Sequence, residues 1–199
     1  MTPPAQSIDF EIPLAFKPYN ILRGMHFAEY RVYRNMLAHE IAHAARKLRP
    51  ASPFRFSTII VTRYSPKIPD KDGLYGGVKP LIDCLCPLSS SHPNGMGFIE
   101  DDNPISLNQI VHPYLIDRED RPRTTIQITP HTIDDPTFLE RLRDMNVPVD
   151  MIHKWERNRQ NTPHPTQREK QSKPKSKPKP SLLDAYPDHI RKQIEKQLS

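Results

Sequence analysis

Residues 56–86 read FSTIIVTRYSPKIPDKDGLYGGVKPLIDCLC, and the order of chemistry along that stretch decides the architecture. Phe56 to Thr62 is rich in β-branched residues, which pack well on a pleated, half-buried surface, so it reads as a central strand running towards Asp70. Gly73, Gly76 and Gly77 then read as a loop. Pro80 fits the first turn of a short helix through Cys86, where its missing N–H costs nothing, and Pro87 stops that helix.

Working outward, Ile8 to Phe16 alternates apolar and polar side chains and reads as a first strand, with Pro13 tolerable at an edge or a strand end. After a turn at Lys17-Pro18-Tyr19-Asn20, the residues Phe27, Tyr30, Leu37, Ile41, Ala44, Ala45 and Leu48 recur at three- and four-residue steps. That spacing predicts an amphipathic helix of about 20 residues, ended by Pro50 and Pro53. Residues 87–97 form a polar loop, and Phe98-Ile99 lead into Glu100-Asp101-Asp102. Leu107 to Ile116 and Thr124 to Thr129 read as two more strands joined by the charged turn Asp117 to Arg121. The order strand, helix, strand, helix, strand, strand predicts an α/β domain with a small mixed sheet of about four strands and two main helices. Phe138 to Met145 and Met151 to Trp155 read as short helical pieces packed on the sheet.

A chain of 199 residues holds one ordinary domain and an appendage rather than two independent cores. Its hydrophobic fraction of 36% and its 23 prolines point to a part that does not pack. The charge locates that part: from Arg157 to Ser199 there are eleven Lys or Arg against four Asp or Glu, while the body is nearly neutral. We therefore expect a folded domain over 1–131, a helical extension over 132–156, a disordered Lys/Pro-rich linker over 157–180, and a brief helix or frayed terminus over 181–199. Cys84 and Cys86, separated by Leu85 alone, are poorly spaced for a disulfide or a zinc knuckle and read as reduced core thiols. No apolar run approaches a membrane span, and Met-Thr-Pro-Pro-Ala-Gln lacks the features of a signal peptide, so a cytoplasmic location is expected.

The chemistry concentrates between Asp70 and Asp102. Asp70 and Asp72 form an Asp-x-Asp pair, Lys79 follows, Asp83 comes four residues later on the same helix face, and Glu100-Asp101-Asp102 arrives before a strand. Carboxylates gathered from separate segments repel unless a cation sits among them. Mg²⁺ takes one or two carboxylates together with water and substrate phosphate, so the implied partner is a phosphate.

Asp-x-Asp, a downstream lysine, Asp83-Cys84-Leu85, and Gly97-Phe98-Ile99-Glu100-Asp101-Asp102 together resemble the RusA family of phage-derived Holliday junction resolvases. The likeness runs from about residue 8 to residue 130 and includes Asn20-Ile21-Leu22-Arg23, His26, Arg31 and Arg34. It implies a Mg²⁺-dependent homodimeric endodeoxyribonuclease, with Mn²⁺ as a substitute ion, that makes paired nicks across four-way DNA in recombination and repair. It implies metal ligands at Asp70, Asp72 and Asp102, with Asp101 and Asp83 in support, and an essential lysine at Lys79. The family pattern has Asn after the second Asp and the lysine four residues on; here Gly73 follows, and Lys79 comes seven residues on through a three-residue insertion.

Arg23, His26, Arg31 and Arg34 are candidate DNA contacts, with a solvated helix start as the plain alternative. The Lys/Pro tail is either a passive linker or a source of nonspecific, salt-dependent DNA affinity. His39-Glu40-Ile41-Ala42-His43 has the H-E-x-x-H pattern of zinc proteases, yet with Ile41 facing the core both histidines fall about 160° away and point outward. The readings are then a junction endonuclease, a non-catalytic junction-binding protein in which the insertion has disabled Lys79, and, last, the protease.

Overall fold

The computed structural model describes residues 6–160, so most of the linker expected over 157–180 and the whole terminal segment over 181–199 lie outside the described residues. The elements are β1 (Ile8–Ile12), α1 (Tyr19–Arg23), α2 (Phe27–Ala44), β2 (Phe56–Ser65), α3 (Lys71–Leu85), β3 (Leu107–Leu115), β4 (Arg123–His131), α4 (Pro136–Asp144) and α5 (Val149–Gln160). The class is the expected mixed α/β. Compact contacts divide the chain after His153, and the site described below belongs wholly to the first unit.

The four strands form one sheet in the order β1-β4-β2-β3. β4 runs antiparallel to both β1 and β2, while β2 and β3 are parallel, so α3 is the crossover of a β2-α3-β3 unit. Parallel neighbours need such a crossover, because a tight turn can only reverse the chain. Two prolines sit where their missing N–H is tolerable. Pro113 lies on the edge strand β3, and Pro130 lies beyond Ile128, where the β1 pairing stops.

Alternation along β2 assigns the two faces. Ile59 and Val61 join Ile8, Phe10 and Ile12 of β1, Ile126 and Ile128 of β4, and the buried stripes of α2 (Tyr33, Leu37, Ile41) and α3 (Val78, Leu81, Ile82, Leu85) in the main core. Phe56, of opposite parity, anchors a smaller cluster with Phe138 and Leu142 of α4 and Ile152 of α5. Its ring centroid lies 4.3 Å from that of Phe138.

Several boundaries differ from those read off the sequence, each for a physical reason. The first strand ends at Ile12, because Pro13 cannot continue the ladder. Residues 19–23, read as a turn, form the short helix α1. The long helix closes at Ala44, and two residues expected in its core stripe, Phe27 and Leu48, are exposed because they lie at its first turn and beyond its end. α5 runs on to Gln160, past the expected linker boundary at 157.

The largest correction concerns residues 71–79: Gly73, Gly76 and Gly77 are not a loop but the front half of α3, and Pro80 lies inside that helix rather than in its first turn. Three glycines lower helix propensity by about 1 kcal/mol each. Packing supplies the compensation. A Cβ on Gly77 would lie 2.5 Å from the Lys17 carbonyl oxygen, and one on Gly76 would lie 2.8 Å from the Tyr19 ring. α3 is thus glycine-rich because α1 and its lead-in press against the helix backbone.

Candidate functional site

α3 carries most of the sequence-nominated groups on a single face. Steps of seven and four residues turn by about 700° and 400°, so Asp72, Lys79 and Asp83 point in nearly the same direction. Asp70 is the N-cap, its Oδ1 accepting from Gly73 N–H at 2.8 Å. Asp72 follows in the first turn, a favourable place for negative charge at the positive end of the helix dipole.

The other half of the site arrives by a loop that folds back on the end of α3. Its backbone N–H groups satisfy the orphan carbonyls of the helix: Met96 donates to Cys84 at 2.9 Å, Gly97 to Cys86 at 2.9 Å, and Phe98 to Leu85 at 2.8 Å. Two glycines make the return tight enough. Gly97 has φ +74°, a left-handed conformation, and a Cβ on Gly95 would lie 2.5 Å from the Cys86 carbonyl oxygen. The loop carries His92 and then the acidic triplet over the second half of α3.

Within that triplet the adjacent aspartates divide the labour. Asp101 is consumed by the turn, its oxygens accepting from Asp102 N–H at 2.8 Å and Asn103 Nδ2 at 2.7 Å. Asp102 instead reaches across to accept from Lys79 Nζ. Lys79 Nζ also lies 2.8 Å from Asp83 Oδ1, which in turn lies 3.6 Å from His92 Nε2. That Asp83 oxygen is buried, and the Lys79 ammonium compensates its charge.

The electrostatics follow. Burial opposes the charge on Lys79, but the contacts with Asp102 and Asp83 outweigh it and hold the ammonium above its ordinary value. Burial alone would raise the Asp102 carboxyl; the bond and charge of Lys79, helped by Asp101, reverse the sign and hold it below the usual carboxylate range. Lys79 is therefore a fixed cation and Asp102 a fixed anion at neutral pH. Cys84 and Cys86 are both free and buried, as expected of core thiols, and burial pushes them up to about 11 and about 12.

The structure brings together Lys79, Asp83 and Asp102, and it does not bring Asp70 and Asp72 to the same point. Eleven residues at about 1.5 Å each put Asp72 roughly 16 Å from Asp83 along the helix axis. Among the described residues, the group whose ligand atoms lie within 4.8 Å of one another is Cys86, His92 and Asp102. Asp102 is the member common to that group and to the set nominated from the sequence. His92 and Cys86 had no signal as ligands in the sequence, because a loop histidine and an apolar-flanked cysteine acquire meaning only once the loop folds back.

The candidate DNA contacts also separate. His26 caps α2, its Nδ1 accepting from Ala28 N–H at 3.3 Å, so a structural role accounts for it. Arg23 ends α1 beside Lys79, Arg31 is exposed, and Arg34 stacks with its guanidinium 5.9 Å from the Tyr30 ring centroid. His39 and His43 are exposed on the side of α2 away from buried Ile41, and neither joins the three-residue metal group. No helix among the described residues is long and apolar enough to cross a membrane.

No protein-family model matches this chain, and no curated protein matches it.

Proposed function

We propose that the chain is a divalent-metal-dependent, structure-selective endodeoxyribonuclease that acts as a homodimer on four-way DNA. The observation that carries this reading is Lys79, gripped by Asp83 and Asp102 on the helix face it shares with Asp72. The resemblance to the RusA resolvases nominates those four residues, and three of them meet in space.

The donor chemistry fits a hard cation in part. Asp83 and Asp102 each offer a carboxylate oxygen to Lys79 Nζ, and the ligand atoms that lie within 4.8 Å of one another belong to Cys86, His92 and Asp102. Asp102 and Asp83 would hold Mg²⁺, or Mn²⁺ in its place, with Asp70 and Asp72 assigned by resemblance and Asp101 placed behind Asp102. A bound Mg²⁺ supplies Lewis acidity at the phosphate and lowers the pKa of an attacking water. The residues of the chain do the rest. Lys79, kept protonated by its two carboxylates, neutralises charge that builds on the phosphate oxygens during hydrolysis. Arg23 and Arg31 bind the phosphate backbone and the basic tail adds salt-dependent attraction, whereas Arg34, nominated with them, has its Nε and Nη2 buried and lies against Tyr30. A two-fold dimer presents two identical sites, which matches the two strands that must be cut in a junction.

The 16 Å gap between Asp72 and Asp83 favours one competing reading, a junction-binding protein that does not cut. A labelled four-way junction incubated with Mg²⁺ separates the two. The enzyme reading expects paired nicks that fall by about 100-fold or more in Asp102→Asn and Lys79→Ala, with junction binding kept within a few-fold. Wild-type protein that binds the junction and nicks it in neither Mg²⁺ nor Mn²⁺ establishes the competing reading.

A further inference from the structure

A groove of about 420 Å³ opens beside the candidate site, walled by Tyr19, Phe27 and Tyr30, with Arg23 and Lys79 bringing positive charge to it. Among the described residues no Asp or Glu lines it. Three observations mark it as a built surface. Phe27 is 75% exposed and Tyr19 46% exposed, so two aromatic rings lie open to solvent where burial would have stabilised them. The Tyr19 ring presses on α3 so closely that a Cβ on Gly76 would lie 2.8 Å from it, and the helix has a glycine there. Behind the groove, the Arg34 guanidinium stacks on Tyr30.

We infer that this groove is a nucleobase pocket that takes one unstacked base from the DNA strand whose phosphate lies at Lys79. The inference rests on the nuclease reading for the identity of that strand. Every base has a flat π face that stacks on aromatic side chains whatever its sequence, and cations beside such a platform track the flanking phosphates. The volume falls in the range of about 300–1,000 Å³ typical of small-ligand pockets. Extruding a base costs a few kcal/mol of unstacking and unpairing, which stacking on the aromatic walls offsets. Lys79 is shared by the groove and the carboxylate cluster, so a base held in one places its own phosphate near the other.

The test uses the full chain bound to a four-way junction carrying 2-aminopurine beside the crossover, with Ca²⁺ to hold back hydrolysis. Binding is expected to raise the emission of the probe as its base leaves the stack. In Phe27→Ala and Tyr19→Ala the rise disappears and affinity falls about tenfold or more, while Phe27→Tyr restores both. Thermal melting shows whether each variant is folded, and the exposure of Phe27 makes that variant the safer of the two. Unchanged emission on binding, or alanine variants that respond as the wild type does, overturns the inference. So does a shift from dimer to monomer in sedimentation of Phe27→Ala with its emission response intact, which assigns the groove to a second copy. A Phe27-dependent rise in a protein that never nicks keeps the pocket and sinks the nuclease reading; nicking without any rise does the reverse.

Discussion

Replacing Lys79 with methionine isolates the charge that organises the site. Methionine keeps most of the apolar stem and removes the ammonium, leaving Asp83 and Asp102 facing the space it held. Two oxygens that both contact one ammonium lie within about 5.5 Å of each other. At that separation two negative charges repel by roughly 0.8 kcal/mol in a water-like medium and about 3 kcal/mol at an effective dielectric constant of 20. The Lys79 side chain is 52% exposed, which places the effect towards the lower value. Adding the lost ion pairs, worth about 0–1 kcal/mol each, gives an expected destabilisation of about 1–2 kcal/mol at pH 7. The sign with pH is fixed. Lys79 holds Asp102 below its unfolded pKa, so that stabilisation is present above about pH 4 and is lost as pH falls through the folded value. Urea denaturation of both proteins at pH 7 and pH 3 measures this directly, and the gap between them should narrow at the lower pH. The variant should also gain more stability than the wild type from millimolar Mg²⁺, because the ion replaces the missing positive charge. A penalty of equal size at both pH values refutes the electrostatic account and assigns the loss to packing.

Three further outcomes test the scaffold. Gly77→Ala adds a helix-favouring residue but drives a Cβ to 2.5 Å from backbone, so it should destabilise by about 1–3 kcal/mol in denaturant titrations. Gly24→Ala, whose nearest neighbour would be 3.7 Å away, should be neutral or stabilising by up to about 1 kcal/mol. Asp135 caps α4 through Thr137 N–H and lies 2.8 Å from His131, whose hydrogen bond first of all holds its carboxyl low. Asp135→Ala should therefore cost about 1 kcal/mol at pH 7 and less as pH falls through the lowered folded value, where the aspartate becomes protonated.

The strands were legible because burial on a sheet repeats every two residues, and Ile8, Phe10 and Ile12, like Ile59 and Val61, announce that period locally. α3 was not legible at its front half. Gly73, Gly76 and Gly77 argue for a loop on every local scale; Gly76 and Gly77 are pressed by Tyr19 and Lys17, residues more than 50 positions away, while Gly73 sits against the N-cap side chain of Asp70. Phe27 failed in the opposite direction: its period places it on the core stripe of α2, yet at the first position of that helix it is 75% exposed. At the site, the Lys79 and Asp83 pair was visible as a four-residue step, and the acidic triplet was visible as a cluster. Which member of the Asp101-Asp102 pair faces the lysine depends on a turn closed by Asn103, and the nearness of His92 and Cys86 depends on the loop returning along α3.

A cation site that also binds substrate needs groups that are charged but easily released, and the Lys79 contacts have that character. The ammonium they share is half exposed, so on the nuclease reading a phosphate oxygen can replace a carboxylate as its partner. Once Lys79 turns to phosphate, Asp83 and Asp102 are left adjacent and uncompensated, and their affinity for a divalent ion rises by the repulsion that the ion removes. Substrate and metal would then bind with positive coupling, each releasing the groups the other needs, and by linkage the junction should tighten metal binding by the same factor that metal tightens the junction. Asp83→Asn should therefore abolish the coupling; titrating Mn²⁺ with and without junction DNA reads it, and coupling that survives in Asp83→Asn defeats the exchange.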